Sequence, residues 1–164
     1  MILLDSSTQA HTIEPIFDSD SRILILGTFP SVKSRQTGFY YGHPYNRFWK
    51  VIASIVNYDV PQNIEQKKAM LLKNNIALWD VIKSCDIAGS SDSSIKNVVP
   101  NDLRIILSNC NISNIYANGN TAGKLYNKYI KPNSGREIIV LPSTSPANAS
   151  YSLEKLIDSW ECIL

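Results

Sequence analysis

An α/β fold, a three-layer α/β/α sandwich around a central and mainly parallel sheet, is predicted by two patterns in the sequence. Apolar runs of strand length at 23–26, 76–79, 112–117 and 137–141 alternate with stretches whose apolar residues recur at helical spacing. Several of these runs end in small polar residues and a turn. Strands of a parallel sheet end this way where they open onto a ligand crevice.

Residues 1–22 are polar and aperiodic and read as an N-terminal arm, with Ile13, Pro15, Ile16 and Phe17 lying over the sheet edge. In the first strand, 23–26, Gly27 lets the backbone turn and Pro30 stops the strand from continuing. Pro44 suits a first helical turn, and Phe48, Val51, Ile52 and Ile55 keep the spacing of a buried helix face, so Asn46 falls in that opening turn. Residues 62–74 read as a second amphipathic helix, and the strand at 76–79 ends in Asp80. The stretch 84–97, rich in Ser, Asp and Gly, reads as a long surface loop facing ligand. Pro100 and Asp102 open a helix to Ser108, and the strand at 112–117 leads into Asn118-Gly119-Asn120. A helix over 121–130 buries Leu125, Tyr126 and Tyr129 and precedes the last strand, 137–141. The loop at 142–150 leads to a closing helix over 151–162 on Leu153, Leu156, Ile157 and Trp160.

A length of 164 residues fits one domain, 1–164, whose first 22 residues form the arm. Hydrophobic residues at 44% and charged residues at 18% exclude a disordered or coiled-coil chain. No apolar run is long enough to span a bilayer, and the start, Met-Ile-Leu-Leu-Asp, lacks the basic region of an export signal. A cytoplasmic protein without a membrane partner is therefore expected. Cys85, Cys110 and Cys162 are isolated, which argues against a disulfide framework and against a zinc or iron–sulfur cage. Neither a metal nor a cofactor is expected. The net charge of +2 permits a polyanionic partner without demanding one, so any affinity for DNA must come from local geometry.

Three strand ends carry polar groups that a parallel sheet would bring to one crevice: 28–31, Asn118 with Asn120, and 143–145 with Asn148. The plainer reading is that these residue types populate turns.

Two longer motifs add to this. Gly27-Thr28-Phe29-Pro30-Ser31 followed by Phe39-Tyr40-Tyr41-Gly42-His43-Pro44-Tyr45-Asn46-Arg47-Phe48-Trp49, and later the run from Leu141 to Ser150, resemble the uracil-DNA glycosylase superfamily, specifically its hypoxanthine-DNA (deoxyinosine) glycosylase branch. The resemblance also runs through 77–82, 92–95 and Asn118-Gly119. It implies an enzyme that hydrolyses the N-glycosidic bond of hypoxanthine in deaminated DNA, with uracil and xanthine as further candidate targets. No lysine occupies the matching motifs, so a monofunctional enzyme is expected, and a monomer. Where other branches place an Asp or Asn in the first motif this chain has Phe29, and where they place a His in the second it has Leu141. The resemblance moves the catalytic role to Asn46, whose amide oxygen would orient water.

The same resemblance implies a base pocket of Thr28, Phe29, Tyr40, Tyr41 and Asn118, with Tyr41 stacking on the flipped base. Ser31, Ser143 and Ser145 would meet flanking phosphates, with His43 beside them as an acid or as a structural hydrogen-bonder. Pro146, Ala147 and Asn148 would form the wedge that fills the vacated stack, and Lys33, Arg35 and Arg47 would attract the DNA backbone. Two alternatives stand beside this reading: a mismatch-type uracil-DNA glycosylase, and a non-catalytic nucleic-acid-binding module of the same fold. Phe29 and Leu141 keep the second alive.

Overall fold

Near-continuous apolar strands bury both faces, and they set the architecture in the computed structural model, which describes residues 7–164. Strands β2 (Ile23–Gly27), β3 (Ile76–Asp80), β6 (Asn114–Asn118) and β7 (Ile138–Leu141) form a four-stranded sheet in the order β3-β2-β6-β7. Every pairing in it is parallel. The two middle strands and β3 are almost wholly buried, whereas β7 leaves Ile139 and Val140 exposed at the sheet edge.

Helices α2 (Phe48–Val56), α3 (Ile64–Lys73), α5 (Asn120–Tyr129) and α7 (Leu153–Trp160) supply the flanking layers. Helix α3 packs on β3, α5 on β6 and β7, and α2 on α7. Phe48 and Trp160, both without solvent exposure, meet edge to face where α2 crosses α7.

A second sheet, absent from the sequence reading, stands beside the first. Strands β1 (Ser7–Ala10), β4 (Ile82–Ile87) and β5 (Lys96–Pro100) pair antiparallel in the order β1-β4-β5. The stretch read as one loop at 84–97 is thus the end of β4, a connection over 88–95 that turns at Gly89 and carries a single 3-10 turn (Asp92–Ser94), and the start of β5. Register shifts between Ile82 and Ser84 and between Ser84 and Asp86 break the period-two pattern that would have marked β4. Of the arm expected over 1–22, residues 1–6 lie outside the described residues. Residues 7–10 of it form β1, and beyond them Ile16 bridges to Leu78, with Ile13 and Ile16 buried.

Other element bounds shift for local reasons. Helix α2 starts at Phe48 rather than near Pro44, because Asn46 turns its side-chain oxygen onto the Phe48 N–H. The helix expected from Pro100 shortens to α4 (Arg104–Leu107), since Pro100 closes β5 and Asn101 bonds the carbonyls of Asp80 and Ile82. A further short helix, α6 (Lys131–Ser134), continues from the end of α5.

One helix was not foreseen. Directly after the first motif, α1 (Val32–Thr37) is capped by Ser31, whose hydroxyl oxygen accepts from Ser34 N–H at 3.1 Å, and it ends at Gly38 in the left-handed region. Replacing Ser31 with Ala should cost about 1 kcal/mol. A melting midpoint lower by about 2–4 °C checks this, and an unchanged midpoint would show that the cap is idle.

Candidate active site

The C-terminal ends of β2, β3 and β6 lie side by side, because Gly27 pairs in register with Asp80 and Leu26 with Ala117, the residue before Asn118. A cavity of about 520 Å³ opens over these ends, within the usual range for small-molecule sites. Thr28, Phe29, Ser31, Tyr40, Tyr41, His43, Asn46, Asn118, Ser143, Ser145, Pro146 and Ala147 all line it. Asn148 instead lines an adjoining cavity of about 540 Å³, which shares Asp92, Ser143, Ser145 and Ala147 with the first. Residues as far apart as Thr28 and Ser145 therefore share one crevice.

Asn46 is fixed from two sides. Its Oδ1 accepts from Phe48 N–H and from the Thr144 hydroxyl, each at 2.9 Å. These two bonds fill both lone pairs of the amide oxygen, so the oxygen expected to orient water is already occupied. The group left without a partner among the described residues is the Nδ2 amide.

Thr144, fully buried and not singled out in the sequence, is the hub of this arrangement. Its hydroxyl accepts from Asn118 Nδ2 at 3.0 Å and passes its own proton to Asn46, while its N–H donates to Asn118 Oδ1 at 3.0 Å. The Asn118 side chain is thereby tied to the 142–150 loop by both of its amide atoms.

Both tyrosines depart from simple platforms. Tyr40 is 2% exposed, and its hydroxyl donates to Glu14 O at 2.8 Å, which commits its polar tip to the arm. Burial, followed by the charge of Asp80, raises its pKa. Tyr41 stacks one face on Phe48, centroid to centroid 4.2 Å, and holds a left-handed backbone at φ 53°. Bulky residues seldom adopt that region. Its buried hydroxyl has no hydrogen-bond partner among the described residues. Burial and the charge of Asp80 push its pKa well above the ordinary range, so it remains a donor.

Asp80 and His11 are site residues the sequence reading passed over. Asp80 is 3% exposed, and its Oδ2 accepts from His11 Nε2 at 2.8 Å. Phe29 lies edge-on to the His11 ring at 6.1 Å. A strand-ending acid beside a loop was the available signal for Asp80. Nothing local marked His11, which meets Asp80 because β1 pairs with β4 and brings the arm alongside.

Two of the three cations expected to attract DNA are turned inward. The Arg47 guanidinium donates to the carbonyls of Ser145 and Asn148, at 3.0 Å each, and to that of Tyr151. Arg35 donates to Pro30 O and Gly89 O, leaving Lys33 exposed. His43 accepts from Tyr45 N–H through Nδ1 at 3.1 Å, and its ring leans on the 74% exposed Tyr45. In the 142–150 loop, Ser143 and Ser145 accept from the N–H groups of Ser145 and Ala147. Pro146 and Ala147 project into solvent at its tip.

Among the described residues no group of three His, Cys, Asp or Glu side chains converges as a metal site would require. No helix among them is long and apolar enough to cross a membrane.

A parallel sheet whose strand ends open onto a cavity bordered by two loops defines an α/β protein with its candidate ligand site where such sheets place one. The family model of the Uracil DNA glycosylase superfamily matches residues 14–162, and the chain belongs to that superfamily. Within it the chain is similar to proteins named hypoxanthine DNA glycosylase. One, from Methanosarcina barkeri, is 34% identical over 89% of this chain and 92% of its own length. Another, from Methanosarcina acetivorans, is 35% identical over 90% of this chain and 93% of its own. In three dimensions it is similar to a Methanosarcina acetivorans protein solved by NMR and assigned to the uracil DNA glycosylases. The TM-score is 0.78 at 32% identity, covering 96% of both chains.

The Thr144 hub generates a clean test. Thr144→Val keeps the shape but leaves Asn118 Nδ2 and Asn46 Oδ1 without their partner, at a cost of about 1–3 kcal/mol. Thr144→Ser should melt close to the wild type and Thr144→Val several degrees lower. Equal melting of the two variants would show that the hydroxyl holds nothing.

Proposed function

We propose that this chain is a monofunctional DNA glycosylase that excises hypoxanthine from deaminated DNA, leaving an abasic site. It works as a single domain and a monomer, without a cofactor, in the cytoplasm. The observation that carries this reading is Asn46, locked in orientation at the wall of the cavity of about 520 Å³ by Phe48 N–H and the Thr144 hydroxyl. The names of the two Methanosarcina relatives favour hypoxanthine over uracil or xanthine as the main target.

Breaking the bond between C1′ and a purine N9 develops positive charge on the sugar before water arrives, so the nucleophile needs placement more than deprotonation. With Oδ1 occupied, the Asn46 Nδ2 amide donates to the water oxygen and leaves a lone pair for C1′. Such a group accelerates the reaction by position and cannot take the proton, which water loses to solvent as its oxygen bonds C1′. The base leaves with the electrons of the broken C1′–N9 bond, its negative charge met by N–H donors of the 28–31 loop lining the cavity, and takes up a proton from solvent to leave neutral. The Ser143 and Ser145 hydroxyls and the exposed Pro146–Ala147 tip flank the mouth, suited to meeting the sugar–phosphate backbone around a flipped nucleotide.

Oligonucleotides carrying deoxyinosine, deoxyuridine or deoxyxanthosine, incubated and then treated with alkali, test the reading. Deoxyinosine strands should break only after alkali, and no abasic product from any of them would refute it. Lysine is missing from the residues that line the cavity, so borohydride should trap no protein–DNA adduct. A trapped adduct would demand an amine nucleophile.

Asn46→Ala should lower single-turnover excision by ~100-fold or more, the range for losing a positioned catalytic group, while DNA binding persists. Near-normal excision by this variant would remove Asn46 from the reaction.

A further inference from the structure

A carboxylate without solvent is costly unless it is paired and hydrogen-bonded, and Asp80 is paired on one side only. Its Oδ2 takes the His11 N–H, while Oδ1 receives no donor among the described residues. The Tyr41 hydroxyl, also buried, has no hydrogen-bond partner among them either. Both groups lie over Gly27. A Cβ built there would collide with Asp80 Oδ1 and stand 2.9 Å from the Tyr41 hydroxyl, so only glycine leaves this space open. Among the described residues the inner end of the cavity thus holds, side by side, an acceptor and a donor that no protein group completes, and the edge of a ligand can complete both.

We propose that Asp80 and Tyr41 read the lactam edge of the flipped base, with Asp80 Oδ1 accepting the ring N–H and the Tyr41 hydroxyl donating to the adjacent carbonyl. His11 is a positioning residue that holds the carboxylate. The inference deepens the glycosylase reading and rests on it.

Its chemical content is a test for deamination itself. Hypoxanthine presents N1–H beside O6, whereas adenine presents a bare N1 lone pair beside an amino group. The carboxylate would face that lone pair, and the hydroxyl would face donors. Uracil differs from cytosine in the same way, so this floor separates each deaminated base from its parent. Guanine and thymine share the lactam edge, and their exclusion falls to the cavity walls. A site built on buried polar groups rejects a ligand that leaves them unpaired far more strongly than an apolar pocket rejects a missing methylene.

Single-turnover excision of deoxyinosine is compared with that of deoxynebularine, a purine nucleoside with a bare N1 and no O6, in otherwise identical oligonucleotides. Wild-type protein should prefer deoxyinosine, and Asp80→Asn should lower that preference by about 10- to 100-fold, the worth of a hydrogen bond to a charged group. Partial unfolding would slow both substrates alike and leave the ratio unchanged. Tyr41→Phe removes an oxygen that no described residue bonds, so it should fold normally and lower the same ratio by about threefold or more. His11→Ala should lower the ratio, and His11→Gln, which keeps an N–H donor, should recover it. A wild-type ratio in Asp80→Asn, or in Tyr41→Phe should Asp80→Asn not fold, overturns the inference while leaving the glycosylase reading intact. Wild-type protein that releases no base from any substrate overturns both.

Discussion

The site depends on one chain of hydrogen bonds running from Asn118 through Thr144 to Asn46. It links the end of a central strand, the loop at 142–150 and the start of α2, three segments that meet nowhere else in the sequence. The direction of each bond is forced. Asn118 Nδ2 can only donate, so the Thr144 hydroxyl must hand its proton onward, and the one acceptor it reaches is Asn46. The orientation of the candidate catalytic amide is therefore inherited from a strand end. Arg47 reinforces the same junction by gripping the carbonyls of Ser145, Asn148 and Tyr151.

This explains why the cations near the site are poor guides to DNA contact. In a chain of net charge +2, using Arg47 and Arg35 to fix loops leaves few positive groups free at the mouth. Attraction to the phosphate backbone must then come mostly from N–H and hydroxyl donors, which work at short range and are less sensitive to salt than ion pairing.

The parallel sheet was legible because its strands are apolar runs bounded by turns, and the crevice followed from the convergence of strand ends. The site residues quoted from the motifs line one cavity, apart from Asn148, which borders its neighbour. What escaped was whatever depends on partners distant in sequence. Strand β4 was hidden by bulged register, and α1 by its polar sequence. Asp80 was visible as a strand-ending acid, yet only the packing of the arm gives it a buried partner. Thr144 was named only as one of three polar residues at a strand end, since nothing in the string distinguishes a buried hydroxyl from the half-buried serines beside it. The motif marked Tyr41 for its ring, whereas the unpartnered hydroxyl became visible only in three dimensions.

The arm carries a consequence for how such proteins are delimited. The superfamily match begins at residue 14, yet His11 lies three residues before it and supports a carboxylate on the cavity floor. Tyr40, deep inside the matched region, anchors the arm through Glu14 at that very boundary. A boundary drawn at the start of that match therefore separates the Asp80 carboxylate from the ring that holds it. Two relatives with identical motifs can then differ in how that carboxylate is held, through a segment that an alignment of those motifs does not score.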